Sequence, residues 1–151
     1  MINRITIEDV NRFKNQYYDD NAMNLYQAIA GKSAIYPGQG TFLGLLYVNT
    51  KLQGEAGEFS ENVGKALRDD NILDDEYPGE FSDVEVPTFR FGEIRPERRL
   101  KLKRELGDVL WYVARAAAEL GFNLSEIAEE NLIKLHDRTK RGTLQGSGDE
   151  R

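Results

Sequence analysis

Apolar residues return at three- and four-residue steps over residues 101–120, as Leu102, Leu106, Val109, Leu110, Val113, Ala117 and Leu120. At about 100° per residue these positions share one face, which predicts a single amphipathic helix. The same spacing runs through residues 42–67, with Phe42, Leu45, Leu46, Leu52, Ala56, Phe59, Val63 and Leu67 inward. Residues 23–35 read as a further helix with Leu25, Ile29 and Ala30 inward. Residues 123–140 read as another, with Leu124, Ile127, Ala128, Leu132 and Leu135 inward. A short helix over 6–18 precedes them, with Thr6 as N-cap and Asp9 near its first turn.

The boundaries carry their own signals. Tyr36, Pro37, Gly38 and Gly40 stop the second helix, and Thr41 can cap the next. Pro96 suits a first helical position, and Gly121 suits the residue just past a helix end. Asn123 and Glu126 have capping-box spacing. Gly44, Gly54, Gly57 and Gly64 lie inside the 42–67 helix, where each costs about 1 kcal/mol relative to Ala. They suggest that a ligand or another helix approaches the backbone closely. Residues 69–95 break the pattern. An alternating run there predicts a small hairpin of two short strands around 81–92, with Pro87 at an edge or turn. The Gly-rich tail over 142–151 is expected to fray. The reading is one all-α domain over residues 1–151, with four main helices and a short N-terminal one.

Bulk properties narrow the chemistry. The chain has 151 residues, 40% hydrophobic and 30% charged, enough for one domain with a core. It has no run near the roughly 18 apolar residues that span a membrane. Its first residues lack the apolar stretch of a secretory signal. The absence of cysteine excludes disulfides and thiolate metal sites, and fits a cytoplasmic protein. A net charge of −6 argues against a nucleic-acid duplex as the main partner. The single histidine, His136, removes any multi-histidine metal centre, and its position puts it on the outer side of the last helix.

Against that background two acid pairs stand out. Glu55 and Glu58 lie three residues apart at the margin of one apolar face, and Glu105 and Asp108 repeat this on another. A single such pair is ordinarily solvated surface. If the two helices pack through their apolar stripes, both pairs converge on one groove. Four carboxylates together repel unless a cation lies between them. Oxygen-only ligands suit a hard ion, Mg²⁺ or alternatively Mn²⁺. Lys101 lies beside the second pair, and Asn131, Lys134 and Arg138 form a stripe within roughly 40° on the last helix. Acids for a metal together with cations for anionic oxygens describe a polyphosphate site. Taken singly, the cations also fit a solvated helix face near a C-terminus. Trp111 reads as packing, in the core or at a subunit contact. Tyr112, one turn after Asp108, is the better candidate to touch a ligand.

These residues resemble a known family. GEAGE at 54–58 followed by ELGDVLWY at 105–112 is similar to the paired Glu-x-x-Glu and Glu-x-x-Asp signature of the MazG-like all-α nucleoside triphosphate pyrophosphohydrolases. The Asn131, Lys134 and Arg138 spacing resembles the phosphate-binding positions of the same family. The resemblance covers about residues 22–151. It implies that Glu55, Glu58, Glu105 and Asp108 hold Mg²⁺ and that Glu55 and Glu58 are catalytic, Glu55 orienting or deprotonating the attacking water. It implies that Lys101, Tyr112, Asn131, Lys134 and Arg138 bind the substrate. The implied reaction takes a nucleoside or deoxynucleoside triphosphate to the monophosphate and pyrophosphate. The implied assembly is a homodimer or homotetramer. Two departures stand out. Residues 59–104 separate the acid pairs more widely than in the simplest members. Asn62 occupies a position where some members carry another acid. The rivals are a non-catalytic nucleotide-binding or regulatory protein, and a structural bundle whose acids are solvated edges.

Overall fold

The computed structural model describes residues 22–70 and 94–141, together with Glu8 and Asn11, both helical. The remainder of the helix expected over 6–18, the hairpin expected around 81–92 and the 142–151 tail lie outside the described residues. Four α-helices follow in order: α1 (Ala22–Gly31), α2 (Phe42–Asp69), α3 (Pro96–Glu119) and α4 (Leu124–Arg141). No strand occurs among the described residues, so the architecture is all-α, as expected. The chain divides into two compact units, one of Met1–Asn49 with Trp111–Arg151 and one of Thr50–Leu110. Both α2 and α3 contribute to each unit.

In the first unit, α1 ends at Gly31 rather than at Ile35. The carbonyl of Ala30 explains the early stop. It accepts from the Ser33 N–H (3.1 Å), the Ser33 hydroxyl (2.8 Å) and the Trp111 indole N–H (3.2 Å). The chain tightens into three-residue turns there, which a continuing α-helix cannot match. The start of α2 also differs in detail from the expectation. The Thr41 hydroxyl donates to the Gly38 carbonyl (2.7 Å) instead of capping the helix. That same carbonyl accepts the Gly44 N–H (3.0 Å), so the loop backbone serves as the cap. Gly44 is required by this approach, because a Cβ there would lie 2.5 Å from the Gly38 oxygen.

A polar network ties this loop to α3. Glu119 accepts from the Tyr36 hydroxyl and from the Gly40 N–H (2.7 Å), and pairs with Arg115 at 3.6 Å. Burial, followed by the bond to Glu119, pushes the Tyr36 hydroxyl pKa up, with Arg115 opposing. Tyr36 stacks on Tyr47 with ring centroids 5.3 Å apart and meets Trp111 edge-on at 6.4 Å. At its end α3 turns on Gly121, φ 79°, with Phe122 N–H bonded to Ala117 and Gly121 N–H to Ala118. This is the left-handed helix stop expected for that glycine.

The first turn of α4 is capped partly from within and partly by α1. Glu126 accepts the Asn123 N–H at 2.6 Å, as the capping-box spacing predicts. The next two amides are taken by α1. Gln27 Oε1 accepts from Leu124 N–H (2.9 Å) and Asn24 Oδ1 from Ser125 N–H (3.0 Å). The buried Gln27 amide also donates to the carbonyls of Phe122 (3.0 Å) and Ala114 (3.3 Å). Around these bonds Ala114, Ala117 and Leu124 form the core, with Tyr26 and Val113 packed against it.

The second unit is held by charge at one end. The Asp70 side chain is fully buried and accepts both guanidinium contacts of Arg98, at 2.7 and 2.9 Å, and the Arg95 N–H at 3.2 Å. The hydrogen-bonded Arg98 holds the Asp70 carboxyl below its usual pKa, partly offset by burial. One carboxylate thus joins the last turn of α2 to the first turn of α3 and fixes their relative register.

Burial corrects the expected inner faces. On α2 the buried positions are Gly44, Val48, Asn62 and Ala66, whereas Phe42 is 78% exposed and Leu46, Val63 and Leu67 are also exposed. On α3 Glu105, Ala114 and Ala117 are buried, and Leu106 and Leu110 are exposed, as is Leu120 just past its end. On α4 Leu124 is buried, but Ile127, Leu132 and Leu135 are exposed. Small side chains and hydrogen-bonded polar ones fill the buried positions, and Val48 is the largest fully buried side chain. His136 is exposed, as expected.

Candidate metal and active site

The second unit brings three of the four signature acids together. Carboxylate oxygens of Glu55 on α2 and of Glu105 and Asp108 on α3 all lie within 4.8 Å of one another. Helix spacing accounts for the pair on α3, since residues three apart project from one side. Glu105 is 8% exposed, Glu55 half-buried and Asp108 exposed, so the cluster runs from the helix contact out to solvent. Glu58 stands one turn beyond Glu55, exposed and outside this group.

The neighbouring carboxylates act on Glu55. Burial raises the Glu55 pKa, and the charges of Glu58, Asp108 and Glu105 raise it further, with Lys51 opposing. Like charges held this close favour a cation among them. Asn62 completes the inner side. Its Nδ2 donates to the Glu58 carbonyl (2.9 Å) and to Glu105 Oε1 (3.3 Å). Its Oδ1 is buried with no hydrogen-bond partner among the described residues. Three carboxylates, with no nitrogen or sulfur ligand among them, fit a hard divalent ion.

The remaining predicted residues distribute between the units. Lys101 lies on α3 in the second unit, exposed and one turn before Glu105. In the first unit Tyr112 is half-buried and packs edge-on against Trp111 at 4.8 Å. Trp111 is a packing residue, with its indole N–H also bonded to the Ser33 hydroxyl at 2.9 Å. Asn131 and Lys134 are exposed on α4, and Arg138 on the same stripe is half-buried. One contributor, Lys51, escaped the sequence reading, and Asn62, noted there only as a departure from the family pattern, takes a structural part. Asn62 holds Glu105, and its four-residue spacing from Glu58 is the available signal. Lys51 bears on Glu55 at the same spacing.

Comparison with known proteins places this geometry in context. The sequence model of the MazG nucleotide pyrophosphohydrolase domain matches residues 46–143, which include all four signature acids and the α4 stripe. A protein designated gene 37 protein of Mycobacterium phage L5 is 42% identical over 132 residues, covering 85% of this chain and 98% of that protein. No solved structure gives a significant match. No helix among the described residues is long and apolar enough to cross a membrane. With most of its length matched and its acids assembled, the chain belongs to the MazG nucleotide pyrophosphohydrolase family.

Proposed function

We propose that this protein hydrolyses nucleoside or deoxynucleoside triphosphates to the monophosphate and pyrophosphate, with Mg²⁺ and alternatively Mn²⁺ as cofactor. The observation that carries the reading is the convergence of Glu55, Glu105 and Asp108 within 4.8 Å in a chain of this family. When bound there, the metal supplies charge neutralisation and draws phosphate oxygens to the carboxylates. Glu55 orients the attacking water. Glu58, outside the three-acid group, keeps its carboxylate available for the water's proton. The water oxygen bonds to the α phosphorus, and the bond from that phosphorus to the bridging oxygen of the β phosphate breaks. Pyrophosphate leaves with that oxygen.

Lys101, Asn131, Lys134 and Arg138 are assigned to the phosphate oxygens, on the family resemblance and on their donor chemistry. Tyr112 is assigned to the base or sugar. The family match crosses both compact units, which supports reading the chain as one functional domain. A homodimer or homotetramer is proposed, since Val63, Leu67, Leu106 and Leu110 leave large apolar side chains exposed. A cytoplasmic location fits the absence of cysteine.

The test is a Mg²⁺-dependent screen over the common nucleoside and deoxynucleoside triphosphates, reading pyrophosphate and orthophosphate separately. Pyrophosphate with a monophosphate is the expected result. Orthophosphate alone refutes the assigned bond, and tight nucleotide binding without either product favours a regulatory binding protein.

A further inference from the structure

Asn62 is 3% exposed, deep in the second unit, and its amide is half satisfied. Both groups that meet its Nδ2, the Glu58 carbonyl and Glu105 Oε1, are acceptors. The chemistry therefore fixes the orientation of the amide: the nitrogen faces these oxygens and Oδ1 faces away. Oδ1 is then a buried acceptor without a donor among the described residues. Buried carbonyl oxygens are rarely left so. The nitrogen, held between the Glu58 carbonyl and Glu105 Oε1, is the part of the side chain turned toward the acid cluster.

Charge points the same way. A carboxylate at residue 62 would add a further negative charge against Glu105 at a buried position. The amide matches a carboxylate in shape, grips Glu105 by donating to it, and adds no charge. We propose that Asn62 is a positioning residue that fixes Glu105 for the metal and limits the cluster to a single divalent cation. This deepens the proposed function and rests on its metal site.

The probe is Mn²⁺ alone, titrated into the full chain by calorimetry and by the spin-resonance signal of free ion, with melting followed in parallel. The wild type is expected to bind one Mn²⁺ per chain. Asn62→Ala should weaken that binding about tenfold at unchanged helix content, the size seen when a partner of a metal ligand is lost. Asn62→Asp keeps the shape and adds charge. Its metal-free form should melt below the wild type, and Mn²⁺ should raise its melting temperature by more than it raises that of the wild type. Two Mn²⁺ per wild-type chain would overturn the proposal, as would an Asn62→Ala dissociation constant within about twofold of wild type. If Asn62→Ala does not fold, the wild-type stoichiometry and the Asn62→Asp melts decide. Absence of Mn²⁺ binding by the wild type would instead overturn the metal site itself, and Asn62's role with it.

Discussion

Glu105→Gln should stabilise the metal-free protein and abolish its response to Mg²⁺. Glu105 is buried, and its carboxylate lies within 4.8 Å of oxygens from both Glu55 and Asp108. At that separation two unit charges repel by about 1 kcal/mol in water-like surroundings and about 3 kcal/mol at an effective dielectric near 20. Asp108 is exposed and Glu55 half-buried, so the screened end of that range applies. Removing both repulsions gains about 2 kcal/mol. The amide is the same size, and its oxygen still accepts from Asn62. For a chain of this length the gain corresponds to a rise of roughly 4–8 °C in melting temperature. Mg²⁺ at a hundred times its dissociation constant stabilises the wild type by about 2.7 kcal/mol. The variant, with its central ligand neutralised, gains little. The order of melting temperatures should therefore reverse between EDTA and Mg²⁺, as read by calorimetry or by helix dichroism. A metal-free variant that melts at or below the wild type would refute the repulsion argument. Equal stabilisation of both proteins by Mg²⁺ would refute the role of Glu105.

The other predictions concern the supports of the site. Gln27→Ala removes three hydrogen bonds around the start of α4 and leaves Leu124 N–H without its acceptor, so urea unfolding should show a loss of about 2–3 kcal/mol. Asp70 has a lowered pKa, so its contribution is complete above the ordinary carboxylate range and is lost as pH falls through the lowered value. Asp70→Asn should reduce stability at neutral pH and flatten the acid limb of the stability profile. Glu55 has a raised pKa, so the cost of its charge disappears as pH falls through the raised value toward the ordinary one. In Glu55→Gln the metal-free protein should lose that rise in stability, measured by melting between pH 7 and about 4.5. Gly44→Ala forces a Cβ to 2.5 Å from the Gly38 oxygen and should cost about 1–3 kcal/mol, whereas Gly64→Ala meets nothing within 4 Å and should gain up to about 1 kcal/mol.

The glycines show where sequence reading ends. Four glycines in α2 suggested a close approach to the backbone, and among them Gly44 has one, against the Gly38 carbonyl. A Cβ added at Gly54, Gly57 or Gly64 would meet no described atom within 4 Å. A glycine marks permission for contact, and only the neighbouring chain decides whether contact occurs. The same limit applies to α1, whose end is set by Trp111 and Ser33 converging on the Ala30 carbonyl, with the tryptophan far along the sequence.

By itself the sequence determined the all-α class, the span of the three longer helices to within a few residues, and the Pro96, Gly121 and Glu126 boundary features. These depend on interactions within a few residues, where 3.6-residue periodicity and backbone restriction suffice. It also marked the acids, because two pairs at equal spacing are a local pattern. Tertiary structure alone decided which side of each apolar stripe is buried. Broad stripes on α2 and α3 leave several rotations open, and burial of Asn62, Asp70 and Glu105 depends on partners supplied by another helix or turn. Nothing local in the sequence marks any of those three as buried. A polar side chain enters a helix contact only when its hydrogen-bonding partner is already there, and such pairings between distant segments have no local signature.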